Sequence, residues 1–179
     1  ASLSLDNTTF GCINVGANTV NLTVTDNNGN TATCPAIVTV QDNVNPIAVC
    51  SDYTTQLNTA GAATITTANI DGGSADACGI ATLSLDNTIF SCANVGANTV
   101  NLTVTDSNGN TSTCPATVTV EDVLAPTAMC MNYTTPLDGT GIAVITTANV
   151  DNGSTDVCGV ASLSLDLSLI HISEPTRHR

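Results

Sequence analysis

The chain contains no tryptophan, and its 179 residues include only two phenylalanines and two tyrosines. Cations are equally scarce: the two Lys/Arg residues and both histidines lie after residue 170, whereas residues 1–166 contain 14 of the 15 Asp and Glu residues. A segment without positive side chains does not bind nucleic acid through phosphate contacts, nor an anionic membrane surface. Because the usual general bases and amine nucleophiles are missing, we predict that the protein is not an enzyme.

The last 13 residues depart from the pattern of the rest of the chain. Residues 167–179 resemble the translation of a sequencing adapter, and we interpret them as a non-native tail that is excluded from fold reasoning. The chain contains no apolar run of about 18 residues, the length that a transmembrane helix needs. We therefore predict no membrane insertion.

The most informative feature that is present is a repeat of 80 residues. The motif LSLDNT begins at Leu3 and again at Leu83, and NTVNLTVTD begins at Asn18 and again at Asn98. The cysteines obey the same offset, as the pairs Cys12/Cys92, Cys34/Cys114, Cys50/Cys130 and Cys78/Cys158. Copies this similar are typical of an array of structural units. Because Ala1 falls inside a repeat, we expect the chain to be a window of a longer protein.

Alternation with a period of two dominates the local pattern. Val100, Leu102 and Val104 share one face of a predicted strand, with Asn and Thr between them, and residues 114–120 alternate in the same way. An Asn-Gly hairpin turn at 106–110 separates these strands. About six or seven such strands fit into each repeat, which predicts an all-β fold of tandem Ig-like β-sandwich repeats of 80 residues.

Several of these motifs resemble a known family. DVLAP at 122–126, then Cys130, then DVCG at 156–159, is similar to the hyalin repeat, as is LTVTDSNGNTSTC at 102–114. The resemblance is closest to the tandem hyalin-like repeats of secreted surface proteins and adhesins in Bacteroidota. It implies an Ig-like β-sandwich used in extracellular adhesion or scaffolding, at the cell surface or secreted, and it implies no catalytic residues.

Two Asp-x-x-x-Pro linkers, at 42–46 and 122–126, predict the domain boundaries. Residues 44–122 form the complete Ig-like repeat. Residues 1–43 are the C-terminal half of the repeat before it, and residues 123–166 are the N-terminal half of the repeat after it.

Four cysteines in each repeat, without CxxC motifs, favour disulfides in an oxidising, extracellular setting. We favour Cys50–Cys114, because each residue opens one of the parallel first and last strands of an Ig-like sandwich. Hyalin repeats often contain only these two cysteines, which supports the pairing. Cys78–Cys92 completes the favoured set. The alternative set is Cys50–Cys78 with Cys92–Cys114.

Under the favoured pairing, four cysteines have no partner within the chain. They are Cys12, Cys34, Cys130 and Cys158. The 80-residue offset supplies their partners in adjacent copies: the next copy places its Cys12 against Cys158 and its Cys34 against Cys130. A head-to-tail neighbour, or a continuing chain, completes both half domains.

Calcium is the one cofactor that the composition suggests, because it prefers carboxylate and amide oxygens. The linker at 41–46 resembles the acidic, Asn-rich linkers that bind calcium between cadherin domains, and nearby loops contain further acids. The candidate ligands are Asp42, Asn43, Asn45, Asp71, Asp76, Glu121, Asp122, Asp151 and Asp156. The alternative is that these acids are solvated turn residues. We interpret a third group, Asp106, Asn108 and Asn110, as part of a hairpin turn.

These observations predict a structural extracellular protein, in which disulfide-stapled Ig-like domains form a stalk, fibre or filament. Its partners are then copies of itself, through repeated head-to-tail contacts. The alternative is a cell-surface adhesin whose repeats bind glycans or a partner surface. That role would use exposed aromatic side chains for stacking on sugars, and only Tyr53 and Tyr133 offer them.

Overall fold

The computed structural model describes residues 1–166, so the predicted non-native tail, residues 167–179, lies outside the described residues. Within this range the chain forms nine strands, two single-turn α-helices and two short 3₁₀ turns, which confirms the all-β class. Residues 1–43 are called here the N-terminal segment, residues 44–122 the central segment and residues 123–166 the C-terminal segment.

The N-terminal segment is a three-stranded antiparallel sheet in the order β1-β2-β3. Its strands are β1 (Ser2–Leu5), β2 (Gly16–Thr25) and β3 (Thr31–Val40). A 3₁₀ turn at Cys12–Asn14 leads into β2. Alternating Val, Leu and Thr residues suit a pleated strand with one apolar face, which explains why β2 and β3 pair over ten residues each.

The central segment contains two sheets. Its elements are β4 (Tyr53–Gln56), β5 (Ala62–Thr64), α1 (Thr67–Ile70), β6 (Ile80–Leu85), β7 (Ile89–Ser91), β8 (Gly96–Asp106) and β9 (Thr111–Glu121). Four strands form one sheet in the order β4-β9-β8-β6, and β5 pairs with β7 in the other. The first strand, β4, runs parallel to the last, β9, whereas the other pairs are antiparallel.

One apolar core lies between these two sheets. Its buried side chains are Leu57, Ala63, Ile65, Ile70, Phe90, Val100, Leu102, Val104, Ala116, Val118 and Val120. The alternation read from the sequence is confirmed here, because Val100, Leu102 and Val104 are all fully buried. Each large side chain removed from water in this way contributes about 1.5–3 kcal/mol to folding.

The C-terminal segment repeats the loops of the central segment but forms no strand among its described residues. It contains α2 (Thr147–Val150), and isolated bridges join Thr127 to Thr155 and Cys130 to Asp151. The same two bridges occur 80 residues earlier, at Ile47–Ala75 and at Cys50–Asp71.

The pairing register is also repeated after 80 residues. Leu22 lies opposite Cys34 in the N-terminal segment, and Leu102 lies opposite Cys114 in the central segment. Burial differs between the copies, since Val24 is 39 % exposed although its counterpart Val104 is fully buried. The difference arises because β5 and α1, which help to cover this face in the central segment, have no counterpart in the N-terminal segment, and residues 9–11, the counterpart of β7, form no strand.

One disulfide joins Cys50 to Cys114, with a Cα–Cα distance of 5.8 Å, and this is the pairing that the sequence favours. Cys50 lies just before β4, and Cys114 lies near the start of β9. Because β4 and β9 are neighbours that run parallel, their starts meet at the same end of the sheet. Cys78 and Cys92, which are the partners of these two cysteines in the alternative set, are bonded to other residues.

The predicted Cys78–Cys92 disulfide is wrong in this structure, where Cys12 pairs with Cys78 and Cys92 pairs with Cys158. Cys78 precedes β6 beside the end of β8, since the Ser107 amide donates to the carbonyl of the adjacent Gly79. Cys92 lies before the start of β8. The length of β8, ~35 Å, therefore separates the two cysteines, whereas a disulfide requires Cα atoms within about 7 Å.

Candidate functional site

Two disulfides connect consecutive segments of the chain. Cys12–Cys78 joins the N-terminal segment to the central segment, and Cys92–Cys158 joins the central segment to the C-terminal segment. Each spans 66 residues, with Cα–Cα distances of 5.1 and 5.2 Å. We call the two junctions the first boundary and the second boundary. The prediction that Cys12 and Cys158 pair only with adjacent copies is corrected by these bonds.

At the first boundary, a hairpin turn of the central segment holds the linker. The amide group of Asn108 donates to the Asp42 carboxylate at 2.7 Å, and that of Asn110 donates to the Asp42 carbonyl at 3.2 Å. The sequence offered only a turn signal for these two asparagines. Their contacts with the linker were missed because they depend on how two segments meet.

The turn itself is organised by Asp106, which is 1 % exposed. One carboxylate oxygen accepts from the backbone amides of Asn108 and Asn110, both at 2.8 Å, and the other accepts from the Asn110 side chain at 2.7 Å. Gly109 completes the turn with a φ of +94°, a value that non-glycine residues rarely adopt. The interpretation of this group as a hairpin turn agrees with these contacts.

Burial alone raises the pKa of Asp106, because it disfavours the charged carboxylate. The hydrogen bonds from Asn110 and Asn108 act in the opposite direction and hold the pKa below its ordinary value. Asp106 is therefore ionised at neutral pH, and its charge is satisfied by the turn that it organises.

Each boundary also brings two carboxylates together. Ligand atoms of Asp42, Asp76 and Cys78 lie within 4.8 Å of one another at the first boundary, and Asp122, Asp156 and Cys158 repeat the arrangement at the second. All six residues are partly buried. The linker acids and the loop acids, which the sequence offered as separate candidates, thus form joint pairs.

These groups fit a calcium ion only in part. At the first boundary one oxygen of Asp42 accepts from the Val44 amide, and one of Asp76 accepts from the Cys78 amide. Cys78 is disulfide-bonded and offers no thiolate. Calcium takes six to eight oxygen ligands, so two carboxylates would have to be completed by carbonyl groups or water. The arrangement is suited to a weak cation site.

The remaining predicted ligands do not join these groups. Asp71 accepts from the Ser74 backbone at 2.9 Å, and its hydrogen bonds from Ser74 lower its pKa. Asp151 has the same partner type in Ser154. Glu121 accepts from the Gln56 side chain at 3.2 Å. Asn43 and Asn45 are exposed in the linker beside Asp42. Asp71 and Asp151 therefore stabilise turns, in line with the alternative interpretation that these acids are turn residues and not calcium ligands.

The second boundary includes a close approach at Gly61. A Cβ atom at this position would lie 3.0 Å from both the Cys92 sulfur and a methyl group of Val157. At the counterpart Gly141, a Cβ atom would meet nothing within 4 Å. Gly61 thus permits the central segment to pack against the loop that contains Cys158.

Among the described residues, two cysteines have no disulfide partner, and both are exposed. Cys34 lies on β3 at the position that Cys114 occupies on β9, and Cys130 is the counterpart of Cys50. The two tyrosines also differ, because Tyr53 packs partly buried against the core whereas Tyr133 is 47 % exposed.

No protein-family model matches the chain, and no curated protein sequence matches it significantly. Among residues 1–166 no helix has the length and apolar character needed to cross a membrane.

Proposed function

We propose that the chain belongs to an extracellular structural protein, a stalk, fibre or filament built from tandem Ig-like domains of the hyalin-repeat type. The observation that carries this proposal is the pair of disulfides that bond each segment to the next, Cys12–Cys78 and Cys92–Cys158. A domain that only has to fold gains stability from bonds within itself. Bonds between domains serve a protein whose domains must stay connected under load.

The arrangement of these bonds supports a role in bearing tension. Cys78 and Cys92 lie at opposite ends of β8, so the neighbouring segments attach to opposite ends of the central segment. A pulling force that enters through Cys12 leaves through Cys158 after passing along residues 78–92 only. Most of the folded chain lies outside this covalent route.

The route limits extension. The shortest covalent path from residue 1 to residue 166 follows residues 1–12, 78–92 and 158–166. These are about 36 residues, which reach ~120 Å when fully extended, whereas the same chain without disulfides reaches ~560 Å. An array with this pattern would keep its length even if its domains unfolded under load.

Composition supports the extracellular part of the proposal. The three disulfides are typical of an oxidising compartment. They also suit a core with few aromatic side chains, because small cores without large residues gain most from crosslinks. The net negative charge of residues 1–166 keeps neighbouring arrays apart at low ionic strength.

The test is a single-molecule stretching experiment on residues 1–166, held at both termini. A C34S/C130S background removes the two unpaired thiols and prevents exchange. The oxidised chain is expected to stop lengthening near ~120 Å, and addition of reductant is expected to release it towards ~560 Å. An oxidised chain that lengthens as far as the reduced one would contradict the proposal.

Glycan binding by the repeats stays a prediction. Tyr53 is held in β4 against the core, so Tyr133 is the more accessible of the two tyrosines. No contact described above favours that role over the structural one.

A further inference from the structure

The hairpin turn between β8 and β9, residues 106–110, contacts both sides of the first boundary. The side-chain amide of Asn108 donates to the Asp42 carboxylate at 2.7 Å, on the side of the N-terminal segment. In the central segment, Ser107 donates its backbone amide at 3.1 Å and its hydroxyl at 3.3 Å to the carbonyl of Gly79. Because Gly79 directly follows a cysteine of the first boundary, the turn connects the linker with the loop that contains the disulfide.

The Asp42 carboxylate lies beside this disulfide. An oxygen of Asp42, an oxygen of Asp76 and the sulfur of Cys78 lie within 4.8 Å of one another. One Asp42 oxygen accepts from the Val44 amide, which is a local contact in the linker, and the other accepts from Asn108. The side-chain amide of Asn108 is therefore the contact that holds this carboxylate against the hairpin turn and next to the disulfide.

Asn108 is followed by a glycine, and asparagine side chains lose their amide group most readily in this dipeptide. The backbone nitrogen of the following residue attacks the side-chain carbonyl carbon, and a glycine hinders that attack least because it has no Cβ atom. Asn108 and Gly109 are both exposed. The Gly109 amide makes only a long contact of 3.4 Å with the Asp106 carbonyl. The nucleophile and its target therefore lie next to each other in reach of water.

Deamidation at this position requires water and no other reagent. The backbone nitrogen of Gly109 loses its proton to water and bonds to the Cγ atom of Asn108, and the side-chain nitrogen leaves as ammonia. Water then opens the resulting cyclic imide at one of its two carbonyl groups, which gives aspartate or isoaspartate at position 108. No electrons are exchanged, and the net change is the hydrolysis of an amide to a carboxylate.

The closed boundary opposes this reaction in two ways. The hydrogen bond to Asp42 fixes the Asn108 side chain, whereas the attack requires that its carbonyl carbon turn towards the Gly109 nitrogen. The Asp42 carboxylate also opposes the negative charge that develops on the attacking nitrogen and on the carbonyl oxygen, because like charges at short range destabilise each other. Separation of the linker from the turn removes both obstacles.

The product of the reaction prevents the boundary from closing again. An ionised carboxylate at position 108 accepts hydrogen bonds but donates none, so it cannot replace the amide that Asp42 accepts from. It also brings a second negative charge to a contact of hydrogen-bond length. Residues 1–166 contain no Lys, Arg or His side chain that could neutralise the pair. The two carboxylates therefore repel each other.

We propose that Asn108 is a site of spontaneous deamidation that makes opening of the first boundary irreversible. Asp42 protects the asparagine while the boundary is closed, and the carboxylate formed after opening keeps Asp42 away. The Cys12–Cys78 disulfide still joins the two segments, so the modified junction is a covalently tethered hinge. This modification goes beyond the structural role proposed above, and it does not require that the chain bear load.

The first measurement compares two deamidation rates within one molecule. The C34S/C130S chain is incubated at mildly alkaline pH, and peptide mass spectrometry follows the conversion of Asn108 and of Asn28. Asn28 also precedes a glycine in the equivalent turn and serves only as the reference rate. Asp42→Ala should raise the rate at Asn108 relative to Asn28 by about threefold to tenfold, the shift that loss of one hydrogen bond produces. Asp42→Asn is the matched control and should stay closer to the parent ratio, because its side-chain carbonyl still accepts from Asn108.

The second measurement tests the effect of the product on the boundary. Asn108→Asp places the carboxylate directly, and partial reduction with a neutral phosphine compares loss of the first-boundary disulfide with loss of the second-boundary disulfide in the same molecule. The ratio should rise by about threefold to tenfold, because Asp42 no longer lies beside the first disulfide. Asp42→Asn combined with Asn108→Asp should restore the parent ratio, because the amide is then on the linker and donates to the carboxylate of the turn.

Three results would overturn the proposal: a relative rate at Asn108 that Asp42→Ala leaves unchanged, a reduction ratio that Asn108→Asp leaves unchanged, or a double variant that behaves like Asn108→Asp alone. Mass spectrometry of each variant before incubation checks that the three disulfides are intact. The stretching experiment measures the length of the covalent route, which deamidation of Asn108 does not change. Failure of the deamidation site and failure of the load-bearing role are therefore distinguishable.

Discussion

Cys92 lies at one end of β8 and is bonded to Cys158 of the C-terminal segment, with a Cα–Cα distance of 5.2 Å. Cys78, at the other end of β8, is bonded to Cys12 of the N-terminal segment. These two disulfides therefore attach the neighbouring segments at opposite ends of β8. This relationship separates the disulfides that limit length from the disulfide that stabilises the core.

Removing one of the two disulfides that connect the segments should increase the maximal extension of the chain under force. In the C34S/C130S background, C92S/C158S leaves a shortest covalent route that passes through the Cys50–Cys114 bond, and its full extension rises to ~300 Å from ~120 Å. Single-molecule stretching measures the difference. An unchanged maximal extension would show that Cys92–Cys158 does not carry the load.

The third disulfide should behave in the opposite way. In the same background, C50S/C114S leaves the covalent route unchanged, so the maximal extension stays near ~120 Å. The free energy of unfolding falls instead, because this bond closes a loop with a sequence separation of 64 residues around the core. The chain-entropy model gives a loss of about 4 kcal/mol, which urea unfolding measures. A loss below about 1 kcal/mol would contradict this account.

Part of this architecture is accessible from the sequence. Alternation identified the buried face of β8, and the parallel first and last strands pointed to Cys50–Cys114, because both features depend on pattern within one repeat. The disulfides between segments, Cys12–Cys78 and Cys92–Cys158, were missed for a physical reason. Whether Cys78 meets Cys92 or Cys12 depends on the strand length between them and on how segments meet, and neither is visible as a local pattern.

The acids show the same limit. The sequence grouped Asp71 with Asp76 because they are close along the chain. In the structure Asp76 instead approaches Asp42, which lies 34 positions earlier, while Asp71 accepts hydrogen bonds from its own turn. Short-range pairing of side chains with the backbone explains the turn, but only the meeting of linker and loop brings the carboxylates of the boundary together.

Acid should destabilise the central segment through Asp106. Its folded-state pKa is lower than its unfolded value, so the stability that the ionised carboxylate provides is present above the unfolded pKa, about 3.9. It is lost as the pH falls through the folded pKa. The Tm should be flat near neutral pH and should fall below about pH 4.

Asp106→Asn tests the assignment against Asp26→Asn. Both aspartates accept the same three hydrogen bonds from their turns, but Asp26 is exposed and Asp106 is buried. Asp106→Asn should lower the Tm at neutral pH by several degrees and flatten its acid dependence, whereas Asp26→Asn should change the Tm little. Equal effects would show that burial of the turn at the first boundary is irrelevant.

Calcium should stabilise the boundaries weakly through the pairs Asp42–Asp76 and Asp122–Asp156. With a dissociation constant of about 1 mM, which is typical of extracellular modules, ~10 mM calcium adds roughly 1.4 kcal/mol at each site, and in a chain of this length each site raises the Tm by about 3–6 °C. Asp76→Asn combined with Asp156→Asn should abolish the rise, and magnesium should not reproduce it. No response to calcium would mean that these carboxylates are solvated turn residues.

Packing at the second boundary should depend on Gly61. This glycine has a φ of +71°, and Gly141 has the equivalent φ of +80°, so alanine at either position costs about 1–2 kcal/mol in backbone strain. Only at Gly61 does the added methyl group also press on Cys92 and Val157, at 3.0 Å. Gly61→Ala should therefore expose the Cys92–Cys158 disulfide to reductant.

Partial reduction followed by alkylation and mass spectrometry compares its loss with that of Cys12–Cys78 in the same molecule. The ratio should rise several-fold in Gly61→Ala and stay at the parent value in Gly141→Ala, and an unchanged ratio in both would show that the segments do not pack closely there.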